Sequence, residues 1–191
     1  MGKTKKSPQR PPGRIRIIGG KWRGRKLTVP DAPGLRPTPD RVRETLFNWL
    51  QPIITGARCL DLYAGTGILG LEAVSRGAAE AVLVEQDSAL IDRIKLNIEM
   101  LDAGADVRVE QAEALLWLRH NKTRFDLVFL DPPFRQGLIE KSASLLKERG
   151  CLHPHARIYM ESEPELQLPD GFRIVREGKA GKVKFMLVEL V

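Results

Sequence analysis

The chain has 191 residues, 42% of them hydrophobic, and a formal net charge of +7. That length supports one domain with a sizeable core plus a small appendage. No run of about 18 apolar residues occurs, which excludes a helical membrane span, and the first residues lack the apolar stretch of a secretory signal.

The charge is unevenly placed. Residues 1–30 contain ten Lys/Arg and no Asp/Glu, whereas the remaining 161 contain 21 Lys/Arg against 24 acids. A slightly acidic body thus carries a strongly basic arm, which points to a polyanionic partner. Cys59 and Cys151 lie in apolar surroundings without metal or redox spacing, and read as reduced core thiols of a cytoplasmic protein. Three scattered histidines show no ligand pattern, and His153 and His155 flanking Pro154 read as turn residues; no metal is expected.

Residues 1–13 are polar, basic and Pro-rich, the composition of a disordered tail. Residues 14–18 alternate, Gly19 and Gly20 follow, and residues 21–29 resemble a second short strand. This is the pattern of a small β-hairpin studded with Arg14, Arg16, Lys21, Arg23, Arg25 and Lys26. Trp22 among these cations suits base stacking and packing against the body equally. Residues 30–37 read as a linker, completing a basic appendage over 14–37.

A larger domain over 38–191 follows. Thr38-Pro39 has the form of an N-cap and a first-turn proline for a helix from Asp40 to Gln51, stopped by Pro52. Arg36, Arg41 and Arg43 lie beside or on this helix; their spacing leaves open whether they face solvent or a nucleic acid. From residue 57 onward, strands and helices alternate, the signature of a parallel sheet with helices on both faces. Strands are predicted over 58–63, 81–85, 107–109, 125–130 and 157–161, with helices over 68–76, from Ser88 as cap, over 113–119 and over 138–149. Only four residues separate the last two strands, 172–177 and 182–190, so these form an antiparallel hairpin. The fold class is α/β, Rossmann-like, with a mostly parallel seven-stranded sheet.

Gly65, Gly67 and Gly70 fit the GxGxxG spacing of a dinucleotide site. Asp61 argues against that ligand, because a carboxylate just before the loop repels a pyrophosphate. It suits an ammonium group instead. Tyr63, Ala64, Gly65 and Gly67 form the turn, and the glycines allow close backbone approach. Glu85, closing the second strand, can accept from two ribose hydroxyls, with Gln86 beside it. Glu113 and the Ala114 N–H stand where an adenine amine would be met; a helix-capping role for Glu113 is the alternative. An adenosine bearing a cationic amino-acid tail satisfies these positions together: S-adenosylmethionine (S-adenosyl-L-methionine). After the fourth strand come Asp131, Pro132, Pro133 and Phe134, a carboxylate, two rigid prolines and a ring at the carboxyl end of a buried strand.

Residues 61–67 (Asp-Leu-Tyr-Ala-Gly-Thr-Gly), Glu85 and residues 131–134 (Asp-Pro-Pro-Phe) resemble the motifs of Rossmann-like amino-group methyltransferases. Residues 16–27 and 34–50 resemble the RsmD family more closely still. The resemblance implies methylation of the exocyclic N2 of one guanine in 16S ribosomal RNA, guanine 966 in the family. Tyr63 and Thr66 stand where the family often has Phe and Ser, and Glu113 where it usually has Asp or Asn. The implied partner is 16S rRNA, free or in a partly assembled small subunit, bound by a monomer without membrane or metal. Three readings compete with this one: an amino-methyltransferase of another RNA or DNA base, a nucleotide-dependent oxidoreductase, and a non-catalytic RNA-binding assembly factor.

Overall fold

The computed structural model describes residues 13–29, 38–163 and 166–191. Of the tail predicted over residues 1–13, residues 1–12 lie outside the described residues, as do the linker over 30–37 and Arg36, whereas Gly13 already belongs to a strand.

Two strands, β1 (Gly13–Arg16) and β2 (Lys26–Val29), pair antiparallel with Arg14 opposite Thr28 and Ile15 opposite Leu27. The strand expected over 21–29 is shorter than predicted. Its first residues form a 3-10 turn, Gly20–Trp22, because Trp22 turns inward to the body. Ile15, Ile17, Leu27 and Val29 are buried in the same apolar cluster as the helices below. The hairpin is therefore docked, not free. Trp22 N–H donates to Ser75 Oγ at 2.9 Å, and that hydroxyl donates to the Gly19 carbonyl at 2.6 Å. Gly20 sits at φ +78, and a Cβ there would lie 1.7 Å from the Ser75 carbonyl oxygen, so no other residue fits.

The body alternates as expected: α1 (Asp40–Leu50), β3 (Arg58–Asp61), α2 (Ile68–Ser75), β4 (Glu80–Glu85), α3 (Ser88–Leu101), β5 (Val107–Gln111), α4 (Ala114–His120), β6 (Phe125–Leu130), α5 (Leu138–Glu148), β7 (Leu152–Ser162), β8 (Phe172–Ala180) and β9 (Val183–Leu190). The seven-stranded sheet runs β5-β4-β3-β6-β7-β9-β8. All pairings from β5 to β7 are parallel, and β9 lies antiparallel between β7 and β8. The strand order reverses between β3 and β6, which opens a crevice at their carboxyl ends.

Two apolar clusters fill the two faces. On one, α1, α2, α3 and the N-terminal hairpin cover Cys59, Leu127, Phe129 and Tyr159; on the other, α4 and α5 cover Leu60, Val82, Val128 and Ile158. Every residue of α2 is buried, which follows from its position between sheet and hairpin. In α1 the buried Val42, Leu46, Phe47 and Leu50 recur at helical spacing and place one stripe on the sheet. Among the described residues no helix is long and apolar enough to cross a membrane.

Three local expectations are corrected. The cap of α1 is Pro39, and Thr38 instead donates its hydroxyl to Glu161 Oε1 at 2.8 Å. The cap of α3 is Asp87, not Ser88: its carboxylate accepts from Ala89 N–H at 2.8 Å and Leu90 N–H at 3.2 Å. A charged acceptor satisfies those orphan donors better than a hydroxyl. His153 and His155 belong to β7 rather than to a turn, although His155 takes φ +67 where the pairing with β6 is irregular.

Candidate active site

Four carboxylates line the carboxyl end of the sheet: Asp61 on β3, Glu85 on β4, Asp131 after β6 and Glu161 on β7. The parallel register sets Asp61 opposite Leu83 on one side and Phe129 on the other, so the β3 turn and the β6 loop share one rim.

The glycine turn is built around two of these acids. Asp61 is buried and accepts the Gly70 N–H at 3.0 Å. Burial pushes its carboxyl up to about 7, the Gly70 hydrogen bond opposes this, and Glu85 adds repulsion. A ligand cation beside Asp61 would offset both unfavourable effects. Gly65 and Gly67 take φ +53 and +73. A Cβ on Gly67 would lie 2.9 Å from Leu83 Cδ2, and one on Gly70 2.7 Å from Leu83 Cδ1. These glycines let α2 lie close against β4.

Glu85 Oε2 accepts the Gly65 N–H at 2.8 Å, and Oε1 accepts the N–H groups of Gln86 at 2.8 Å and Asp87 at 2.9 Å. A carboxylate has about four acceptor positions, so one remains for a hydroxyl donor. Gln86 is exposed beside it. Ala64 N–H donates to the Val84 carbonyl at 3.0 Å, and Tyr63 OH shares a 2.8 Å hydrogen bond with Ser142 Oγ. Ser142, on α5, was invisible to motif reading because it lies 79 residues away.

Glu113 caps α4. Its oxygens accept from Leu115 N–H at 3.1 Å and Leu116 N–H at 2.7 Å. The capping alternative raised from the sequence is what the structure holds, next to the buried Ala114.

At Asp131, burial, Glu161 and Asp61 in that order push the carboxyl well above the usual range, while the Thr38 hydroxyl opposes them. Pro132 is buried and Pro133 exposed. Phe134 is 41% exposed, so its ring is available to a planar ligand rather than spent in the core. Arg135 follows at φ +61, and its N–H donates to Glu163 Oε1 at 2.5 Å, which ties the loop back to the end of β7. Among the described residues no cluster of His, Cys, Asp and Glu has metal-ligand geometry.

The basic set divides. Arg14, Arg16, Lys21, Arg23, Arg25, Lys26 and Arg41 are exposed. Arg16 pairs with Asp40 at 2.8 Å and Lys21 with Asp106 at 2.9 Å, both near the surface. Arg43 and Trp22 are corrections. Arg43 is fully buried, pairing with Glu72 and Asp40 at 2.6 Å each and donating to the Thr38 and Arg16 carbonyls. It joins α1, α2 and β1 and has no surface to offer a phosphate. Trp22 is 9% exposed and packs in the core, with Lys21 Nζ 4.5 Å from its ring centroid, so it cannot stack on a base.

Glu161 and Thr38 were not among the expected site residues. A usable signal existed: Glu161 closes a predicted strand as Glu85 does.

The chain fits a ligand with an ammonium group, a ribose and a planar base. The donor set is anionic where a pyrophosphate would lie, which disfavours the dinucleotide reading. The family model described as Conserved hypothetical protein 95 matches residues 15–189. The chain is 52% identical over 180 residues to the Ribosomal RNA small subunit methyltransferase D of Escherichia coli K12, covering 93% of this chain and 90% of that one. It is 43% identical over 182 residues to the protein of that name from Haemophilus influenzae, covering 93% and 94%. A solved structure, a putative methyltransferase yhhF from Escherichia coli, superposes with a TM-score of 0.86 at 51% identity, covering 93% of this chain and 98% of that one. On these grounds the chain belongs to the RsmD family and has its class I methyltransferase fold.

Proposed function

We propose that this chain transfers a methyl group from S-adenosylmethionine to the exocyclic N2 of a guanine in 16S ribosomal RNA, at the family position 966, in the cytoplasm during small-subunit maturation. The observation that carries this reading is the shared rim: the Asp61–Gly67 turn and the Asp131–Phe134 loop end neighbouring strands at the point where the sheet order reverses. The names of its close relatives, small-subunit rRNA methyltransferases, support the RNA substrate.

In this reading Asp61 holds the ammonium of the donor's amino-acid tail, Tyr63, Ala64, Gly65 and Gly67 line its path, and Glu85 receives one ribose hydroxyl at its remaining acceptor position, with Gln86 alongside. Glu113 and the Ala114 N–H flank the adenine. Bound there, S-adenosylmethionine supplies a methyl activated by its sulfonium. The protein's task is to present the amine. A guanine amine is a poor nucleophile because its lone pair is delocalised into the ring. The Asp131 carboxylate and Pro132 carbonyl accept hydrogen bonds from its two N–H groups, which favours a pyramidal nitrogen. The prolines fix the backbone that carries the carbonyl. Pro133 holds the turn, and Phe134 stacks on the base. Positioning and electrostatics then account for most of the acceleration. The target base must be splayed out of folded RNA. Arg14, Arg16, Lys21, Arg23, Arg25, Lys26 and Arg41 supply the phosphate contacts, with Arg36 as a further candidate in the linker.

The test is to map methylated nucleotides in small-subunit rRNA from cells lacking this chain and from cells complemented with it. The reading predicts one N2-methylguanine that disappears and returns. An unchanged methylation map would refute it.

A further inference from the structure

One acid on the rim has no part in the reaction described above. Glu161 is only 6% exposed. The β6–β7 register pairs Phe129 with Tyr159 and Leu130 with Met160, so Asp131 and Glu161 come next, side by side on the face of Phe129 and Tyr159. Two hydroxyls aim at the same Glu161 oxygen: Thr38 Oγ1 and Tyr159 OH each donate to Oε1 at 2.8 Å. Tyr159 is itself fully buried, and Thr38 is 4% exposed. This is a built mount for an anion, next to the carboxylate that receives the amine.

We propose that Glu161 is a positioning residue for amine methylation: its anion, held by Thr38 and Tyr159, makes the neighbouring Asp131 a stronger acceptor for the amine's protons than an isolated carboxylate would be. The proposal rests on the amino-methylation reading above. Its physical basis is like-charge repulsion in a dry setting. The groups facing Asp131 are Asp61 from β3, Tyr159 and Glu161 from β7, and the Thr38 hydroxyl ahead of α1. Burial raises Glu161 as well, but the two hydroxyls donate to its carboxylate and lower it, which favours placing the pair's first negative charge on Glu161. Asp131 would lose its proton more readily with a cationic methyl donor held by Asp61. The proton count closes. The amine's lone pair forms the new N–C bond, the methyl–sulfur bond breaks with its electrons left on sulfur, and the nitrogen's surplus proton passes to Asp131 and then to water.

The test begins with ligand-free protein. Carboxyl ¹³C resonances of Asp131 and Glu161 are followed against pH in wild type, Glu161→Gln and Glu161→Asp. Asp131 should titrate at lower pH in Glu161→Gln, by about one unit or more, and stay near its wild-type midpoint in Glu161→Asp. Tyr159→Phe, which keeps the packing, should move the pair's first ionisation upward, because the anion loses a donor. In turnover, the acid limb of the pH–rate profile should shift down in Glu161→Gln. Its plateau rate should fall about tenfold or more, with Glu161→Asp recovering the wild-type limb. An Asp131 midpoint unmoved by Glu161→Gln, a first ionisation unmoved by Tyr159→Phe, or superimposable pH–rate profiles would each overturn the proposal. Failure of the underlying reading looks different: wild-type protein itself would then methylate no guanine amine.

Discussion

The carboxyl rim and the N-terminal hairpin are the two charged regions of this molecule, and they are organised in opposite ways. The rim is acidic and dry: Asp61 and Glu161 are buried, the first accepting a backbone N–H and the second two hydroxyls. The hairpin is basic and wet, with Arg14, Arg23, Arg25 and Lys26 projecting from a two-stranded ribbon whose apolar side is sunk into the core. A rim of this kind suits one small cationic ligand and one amine, because in a dry site each charge acts strongly. A hairpin of this kind suits many phosphates, each weakly held and screened by salt. Between the two lies Arg43, a cation from the basic region that belongs energetically to the interior.

That contrast gives an ordered set of expectations. The largest concerns Arg43. Replacing it with Ala removes the fully buried partner of Glu72, which keeps only its Arg76 contacts at Oε1, and loss of one member of a buried pair costs about 3–5 kcal/mol. Chemical denaturation should show that loss, and Arg23→Ala or Arg25→Ala should leave stability within about 0.5 kcal/mol. Equal effects at the three positions would erase the distinction between interior and surface cations.

Next comes Asp61. In the free protein burial holds it neutral below about pH 7, whereas in the unfolded chain it ionises near its ordinary 3.8. The folded form therefore keeps a proton that the unfolded form gives up, and this contribution to stability is lost as pH rises toward 7. A cationic ligand needs the ionised form. Cofactor affinity measured by calorimetry should thus fall as pH drops below about 7, by up to about tenfold per unit, with a proton released on binding. Asp61→Asn should bind weakly and with no such slope.

A smaller effect is expected at Phe134. With its ring 41% exposed, Phe134→Ala should weaken productive RNA binding by about 1–3 kcal/mol, the range for one base stacked on an aromatic ring, without changing cofactor affinity. The smallest single contributions belong to the hairpin. Each of Arg14, Arg23, Arg25 and Lys26 changed to Gln should lower the slope of log affinity against log salt by about 0.7–0.9 if that side chain meets a phosphate. A slope unchanged after all four substitutions would remove the hairpin from the RNA interface.

The same contrast explains what could be read in advance. The strand–helix alternation, the reversed sheet order's ingredients and the acids at 61, 85 and 131 were legible, because strand ends and glycine turns fix positions locally. Arg43 and Trp22 were not. Each belongs to a basic, RNA-like stretch by composition, and each is buried only because distant elements meet: the hairpin docks Trp22 on Ser75 of α2, and Arg43 of α1 reaches both Glu72 of α2 and the Arg16 carbonyl of β1. That docking is a long-range event, 53 residues apart for Trp22 and Ser75, and no local pattern encodes it. Asp87 displaced Ser88 as the α3 cap for a simpler reason: two adjacent residues competed for one role, and the carboxylate reached the donors.

The central claim is that Asp131 grips an amine while the glycine turn separately holds the methyl donor. Purified Asp131→Ala protein tests it most directly, assayed with labelled S-adenosylmethionine and unmethylated small-subunit RNA beside a cofactor-binding titration. The expected result is transfer to guanine N2 by wild type, loss of about 10²–10⁴-fold in rate in the variant, and cofactor affinity within about threefold of wild type. Near-wild-type transfer by Asp131→Ala, or a parallel collapse of cofactor binding, would contradict the account.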